Sequence, residues 1–559
     1  MPTPQHHPPQ LYRRILRASA IPAAAILLLV IATLLLEHHA EPIVRSRIVS
    51  TLEARYHTTV ELDQVTVSVL RGLQVDGRGL RVMAVGNHAR LKPGGPPMLQ
   101  AREFQFATTF GDLLFHRGSP ITAYAQGVVL TIPAANDRKP IQQEDPRTAD
   151  DPRNSLLLNR IIATQSTLVL ESADPAKSPV VFNFAKLILF DQGKNKPFAY
   201  ETILTNPEPV GQIHSTGHLG PWRYDDPAQT PVDGDFTFNH ADLSTLADLH
   251  GTLTAAGRLA GTLGQIAVHG TTDTPGFALD SSAHPFALHT EYQALVDGIT
   301  SAVALQAVTA HFLHTTIEAN GLITQATGIN GHHIALDFRL KDGRGEDILT
   351  LFNSSKPPLL SSAVSLEGHI DVPPGTQPIL RRIAAHGNVA LAGTTWSNPS
   401  TQQQIDALSL RAQDEHLAKQ AIENPAASPL VTSSTTANFV IQNGNIDISH
   451  LLYKMPGTVA LIEGRYPLVG RDLDFHGIAR TTASATQMES GVKSLFTKPI
   501  SPLLHKNKAG MQIPISFTGD KSHPDFHLDL THPNLDKPGA PPLPPPPPPS
   551  PASKNPSKH

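Results

Sequence analysis

Apolar and polar side chains trade places at every residue through much of this chain, and that period of two constrains its fold more than any other feature. Val65-Thr66-Val67-Ser68-Val69 steps between faces, as do Val60-Glu61-Leu62, Leu73-Gln74-Val75, Leu80-Arg81-Val82 and Phe104-Gln105-Phe106. Successive side chains of a strand point to opposite sides, so these segments predict half-buried β-strands with one apolar face. Gly72, Gly77 and Gly79 fall between them and read as tight turns. The pattern returns at Val128 to Ile132, Thr167 to Leu170, Val180 to Phe184 and Leu187 to Phe190, and recurs to about Phe338. Two segments differ. Ile43, Val44, Ile48, Leu52 and Tyr56 lie at helical spacing, and Gln402 to Ile422 is the one sizeable interior helix expected.

Composition agrees with a β-rich chain. Only 16% of the 559 residues are charged, Gly and Pro number 39 and 50, and Cys is absent. A Cys-free chain has no disulfide framework, thiolate metal site or Cys nucleophile. Lys plus Arg number 44 against 48 Asp plus Glu, so there is no basic field to hold nucleic acid. The length allows several ordinary domains or one long repetitive body.

From Ala18 to Leu36 nineteen residues pass without a charge, including the run Leu27, Leu28, Leu29, Val30 and Ile31. As a helix they would reach about 28 Å, close to the hydrocarbon core of a bilayer. Arg13, Arg14 and Arg17 precede them, which favours a cytoplasmic N-terminus and an exported body. A cleaved signal peptide is the competing reading, but Leu34 to Leu36 followed by Glu37-His38-His39 is no small-residue cleavage site. We read a signal anchor: residues 1–17 cytoplasmic, 18–36 spanning, and the rest on the far side. The end of the chain, 533–559, is proline-rich and cannot build ladders or a core, so it reads as an extended tail. Such a tail serves as a spacer, a docking strand or an end with no partner.

An internal echo suggests repetition. Gly270 to Asp280 and Gly519 to Asp529 share the frame G-x4-P-x-F-x-L-D without a gap. We expect a glycine-permitted turn leading into a strand in each, as in a quasi-one-dimensional array.

Several segments resemble the AsmA-like family of bacterial envelope proteins. The order of anchor, helix, Val60 to Val82 and Met98 to Ile132 is similar to the N-terminal part of that family, with Phe110 to Phe115 as its short helical element. Asn443-Gly444-Asn445-Ile446-Asp447-Ile448, Gly457 to Tyr466 and Leu473 to Gly477 are similar to its C-terminal module. The resemblance implies an N-terminal β module at 37–135, a loop at 136–154, middle β-rich repeats at 155–395 and a C-terminal module at 396–532. It implies a mostly β fold: an elongated, curled, repetitive sheet forming a taco-like β-groove, with few short helices and one N-terminal transmembrane helix. It also implies residence in the bacterial inner membrane, with the bulk periplasmic, and a part in outer-membrane lipid homeostasis.

A curled sheet with one apolar face leaves a trough in which buried methylenes contribute about 0.8 kcal/mol each. The candidate groove residues are the alternating Val65, Val67, Val69, Val128, Leu130, Ile132, Leu168, Leu170, Leu187, Leu189, Ile446 and Ile448. The same residues would equally form the core of a closed sandwich. Arg78, Arg81, Arg90, Lys92 and Arg102 form a locally basic patch, either a contact for anionic head groups or a solvated face.

Enzymatic chemistry finds little footing. The 28 His include the pairs His38-His39 and His332-His333, but none has H-E-x-x-H spacing. There is no G-x-S-x-G elbow or P-loop, and Gly343-Arg344-Gly345 is expected to lack the strand-to-helix context of a phosphate cradle. The expectation is a non-enzymatic protein with no cofactor, metal or nucleic acid, holding phospholipid. The alternative is an assembly factor that binds outer-membrane or envelope proteins through sheet edges. A glycan-modifying enzyme is third, for want of clustered carboxylates.

Overall fold

In the computed structural model the described residues cover most of 41–482, together with 506–507, 510–520 and 525–528; the longest internal gaps are 84–96, 109–120, 133–157, 414–429 and 483–505. The spanning segment 18–36, the loop 136–154, Phe110 to Phe115 and the tail 533–559 therefore lie outside the described residues. Among the described residues no helix is long and apolar enough to cross a membrane.

Strands hold 73% of the described residues, in curled half-barrel sheet with four short helices. Two compact units divide them, and each is described by itself.

The first unit runs to Asn206 and adds Gln212–Phe236 and Ala260–Gly264. It begins with helix α1 (41–50) and the strands β1 (Val60–Ser68), β2 (Leu73–Val82), β3 (Leu99–Thr108), β4 (Ile121–Ile132), β5 (Leu158–Leu170), β6 (Val180–Phe190) and β7 (Phe198–Pro207). Neighbours are antiparallel except β4 and β5, which are parallel. Gly77 and Gly79 do not make turns, as their sequence context suggested; both lie inside the single strand β2. Gly79 has φ +67°, and Gly127 of β4 and Gln165 of β5 have φ +63° and +49°. These irregular positions shift the alternation by one residue: Val60 and Leu62 are buried, Asp63 and Gln64 are both exposed, then Val65 and Val67 are buried. The core here joins Leu62, Val65, Val67 and Val75 to Val44, Ile48 and Val49 of α1.

The second unit holds Pro207–Gly211, Thr237–Leu259 and everything from Gln265. Strands β8 (Val210–Leu219), β9 (Pro231–Asp242) and β11 (Thr252–Thr262) each have residues in both units, and with β10 (Leu249–His250) they precede an antiparallel run in the second. That run is β12 (Gln265–Leu279), β13 (Phe286–Val296), β14 (Val303–Phe312), β15 (Thr315–Gln325), β16 (His332–Arg344), β17 (Leu360–Val372), β18 (Ala384–Trp396), β19 (Ser433–Gln442), β20 (Asn445–Met455), β21 (Thr458–Pro467) and β22 (Asp472–Thr481). It closes with β23 (Lys506–Asn507), β24 (Gly510–Asp520) and β25 (Asp525–Leu528). Register shifts between Thr274 and Phe277, Leu340 and Gly343, Leu391 and Thr394, and Ile448 and Leu451 bend the strands. Bulges of this kind raise local twist and let a sheet curl.

Three helices punctuate this unit: α2 (Gly345–Phe352), α3 (Ile379–Arg382) and α4 (Pro399–Gln413). The interior helix predicted over Gln402 to Ile422 is α4, which starts earlier; residues 414–422 lie outside the described residues. The G-x4-P-x-F-x-L-D echo is not a repeated turn. Gly270 sits inside β12, and Pro275-Gly276 falls at its bulge, whereas Gly519, with φ +97°, ends β24 before a new strand.

Candidate functional site

Register places the predicted groove residues. In the first unit Leu130 pairs with Leu99 and Leu168, Leu168 with Phe182, and Ala101 with Val128. Ile132 pairs with Leu170, Leu187 with Ala163, and Leu189 with Ile161. Cross-strand partners share a face, and the one-residue shift at Gly127 and Gln165 carries that face from Val128, Leu130 and Ile132 to Ala125 and Ala123. Most of the candidates thus come together on one apolar surface. Leu130, Leu168, Leu187 and Leu189 are half-buried there.

Val65 and Val67 share that face but are not open on it. They are 8% and 1% exposed, under Val44, Ile48 and Val49 of α1. A helix that precedes the strand by a few residues fills the place a ligand would take. Val69 and the side chain of Leu170 lie outside the described residues.

The second unit shows how far such a face continues. Gly270 lies opposite Tyr292, Tyr292 opposite Val308, and Val308 opposite Ala319. Ala319 then meets Phe338, Phe338 meets Gly368, and Gly368 meets Gly387. Gly387 meets Phe439, Phe439 meets Ile448, and Ile448 meets Gly464. Ten strands contribute one residue each, none charged, and all ten are half-buried rather than buried. A second row beside it, Leu336, Ile370, Ala385, Ile441 and Ile446, is also apolar. Ile446 and Ile448, the only predicted candidates in this unit, therefore belong to two adjacent rows of one surface. Burial pushes the phenols of Tyr292, Tyr453 and Tyr466 above their ordinary value, so they stay neutral on it.

Of the ten-strand row the sequence reading points to Ile448 alone: Gly270 reads as a turn residue, and isolated mid-strand glycines and aromatics do not announce a shared face. The signal that could have found them is an aromatic residue and a glycine recurring mid-strand on the apolar parity, as in Phe338, Gly368, Gly387 and Phe439.

The opposite face is polar and paired. His289 Nδ1 lies 2.6 Å from Asp273 Oδ1 and its ring stacks on His311; His369 Nδ1 lies 2.8 Å from Asp337 Oδ1 and its ring stands 5.7 Å from that of His386. A cleft of about 650 Å³ is lined by Glu318, Asp337, Arg339, Glu367 and His369 together with Val308, Ala319, Phe338, Gly368 and Gly387 of the apolar row. Its charges answer one another, Arg339 lying 3.7 Å from Glu367. Among the described residues no group of three His, Asp or Glu could hold a metal ion.

Gly343-Arg344-Gly345 does form a strand-to-helix junction, against expectation, since β16 ends at Arg344 and α2 starts at Gly345. Glu346 and Asp347 occupy the first turn, so the helix end that would attract a phosphate already carries carboxylates. The basic patch is likewise compensated: Arg81 pairs with Glu61 and Asp63, and Arg78 with Glu103. Arg102 donates to Gln165, and Arg90 and Lys92 lie outside the described residues.

Comparison with family models, curated proteins and solved structures finds no match. The site is therefore defined by its geometry within each unit: curled β-sheet with an apolar face, opposed in the second unit by a charge-paired polar one.

Proposed function

We propose that this chain is an AsmA-like inner-membrane protein that holds or moves phospholipid along the apolar face of its curled sheet, with no enzymatic step. The observation that carries the reading is the apolar row from Gly270 to Gly464, which stays half-exposed across ten successive strands. An apolar surface of that extent is costly in water and favours a ligand that covers it. Acyl chains suit it because they need no hydrogen-bond partners, and the backbone groups below are committed to ladders. In this reading residues 18–36 cross the inner membrane once, the N-terminus is cytoplasmic, and an elongated periplasmic body serves outer-membrane lipid homeostasis.

The test is extraction of the full-length protein from bacterial membranes, followed by lipid analysis of organic extracts by mass spectrometry. Phospholipid retained through extensive washing supports the reading. A lipid-free protein whose crosslinks join strand edges to outer-membrane proteins would replace it with the assembly-factor reading, in which β-augmentation does the binding.

A further inference from the structure

We propose that acyl chains lie in one furrow of the second unit, running across the strands from Tyr292 to Ile448, and that Phe338 and Phe439, folded over Gly368 and Gly387, set its clearance. This rests on the lipid reading above and goes further by assigning the track and the residues that gauge it.

The furrow follows from side-chain size. Gly368 and Gly387 face each other on β17 and β18 and contribute no side chain to the apolar face. Two residues away on the same face stand Leu366 and Ile370 on one strand, Val389 and Ala385 on the other. The glycine pair is therefore a low line between aliphatic ridges. The neighbouring aromatic residues lean into it. A β-carbon built on Gly368 would collide with the carbonyl oxygen of His386 and come 2.9 Å from Cζ of Phe338, and one built on Gly387 would collide with the carbonyl oxygen of Glu367 and come 2.9 Å from Cζ of Phe439. Those separations are closer than non-bonded atoms tolerate, so the close-set backbones of β17 and β18 and the two ring tips together fill the space that a side chain at either glycine would need. The rings lie over the floor from opposite sides instead of standing up into the groove.

The arrangement selects by shape. From Gly270 to Gly464 the row makes nine interstrand steps, each about 4.8 Å, so it is long enough for an extended acyl chain. A peptide laid there would bury its amides without partners, which disfavours it. A straight polymethylene chain meets ring faces and aliphatic walls continuously. A methyl-branched chain needs extra height where the rings cover the floor.

The experiment uses the full-length protein and vesicles of phosphatidylethanolamine carrying a diazirine at the end of either a straight or a methyl-branched acyl chain. After photolysis, adducts are mapped by peptide mass spectrometry. We expect straight-chain adducts concentrated on the peptides bearing Phe338, Gly368, Gly387 and Phe439. Phe338→Ala with Phe439→Ala leaves the main chain untouched and should raise branched relative to straight adducts about tenfold, the lower end of what one methylene is worth in a fitted apolar site. Phe338→Leu, a milder truncation, should move the ratio the same way by less. Straight-chain adducts spread evenly over the apolar face, or a ratio unmoved in both variants, would overturn the furrow and leave the lipid reading standing. No adduct anywhere on the wild-type chain would overturn both.

Discussion

The guanidinium of Arg45 donates two hydrogen bonds to the carbonyl oxygen of Leu62, from Nε at 3.0 Å and from Nη2 at 2.7 Å. Leu62 lies in β1, and the main-chain N–H of Val60 on the same strand donates to Glu53 Oε1 at 3.3 Å. Among the described residues β1 pairs with β2, and side chains from the segment before it occupy polar groups on its backbone. Bare strand edges recruit other chains, so this contact protects against edge pairing as well as fixing the helix. Arg45→Ala should cost about 1.5 kcal/mol, the lower end for a bond to a charged donor, since the site is partly exposed. Hydrogen exchange should quicken at Val60 to Val65, and light scattering should show more self-association on standing. Unchanged exchange there would show that the apolar contacts of Val44, Ile48 and Val49 suffice alone.

Neighbours on one strand give the lipid reading an internal control. Leu168 shares its face with Leu130 and Phe182, whereas Thr167 points the other way, its Oγ1 donating to Asn183 Oδ1 at 3.3 Å. Leu168→Glu places a charge among apolar side chains, a strongly unfavourable environment for it. We expect several-fold less co-purified phospholipid in that variant and no change for Thr167→Glu. Equal loss in both, measured as lipid phosphorus per protein, would point to a general destabilisation.

The strands and their apolar parity were legible because period two is a local property. Val65 and Val67, Leu187 and Leu189, and Ile446 and Ile448 were each found from their own neighbours. What lies opposite a residue is not local. Nothing beside Gly368 in the sequence names Gly387 or Phe338, since register is fixed by bulges and turns at a distance. The same ignorance turned Gly77 into a turn residue. In β2 it faces Phe104, whose ring lies where a β-carbon of Gly77 would stand. A glycine can serve a turn or make room for an aromatic neighbour, and only the partner strand decides between them. The burial of Val67 was hidden for a related reason, because alternation predicts a face but not the helix that covers it.

Acid should loosen the far end of the β1–β2 ladder first. Hydrogen bonding from Arg81 holds the Asp63 carboxyl below its ordinary value of 3.8, and Arg81 is itself held more firmly protonated by Asp63 and Glu61. A depressed carboxylate contributes stability that is fully present above its unfolded value and is lost as pH falls through its folded one. The contribution is therefore intact at neutral pH and declines only below about pH 4. Both groups are exposed, so high salt should weaken the pair as well. Exchange at Leu62 and Leu80 followed from pH 6 to pH 3 checks this, and Asp63→Asn should remove the dependence. A profile that is the same in the variant assigns the acid response elsewhere.

Asp347 gives the sharpest stability prediction, because it is buried and its partner Thr315 is buried with it. Its Oδ2 accepts from the main-chain N–H of His314 at 2.9 Å and from Thr315 Oγ1 at 2.8 Å, while Thr315 Oγ1 accepts from the N–H of Arg344 at 3.0 Å. The relay ties the start of α2 to the hairpin between β14 and β15, where Leu313 has φ +49°. Thr315 is 2% exposed and Asp347 5%, so water does not replace a lost acceptor easily. Asp347→Ala leaves two donors without their acceptor and should cost about 2 to 3 kcal/mol. In a unit of this size that lowers the melting temperature by roughly 4 to 12 °C. Asp347→Asn keeps one acceptor oxygen and should recover part of the loss. Thr315→Val removes the middle of the relay, so combining it with Asp347→Ala should cost less than the sum of the two single changes, since coupled partners are not additive. Strict additivity by thermal unfolding would mean that the two side chains act independently and that the relay carries no energy of its own.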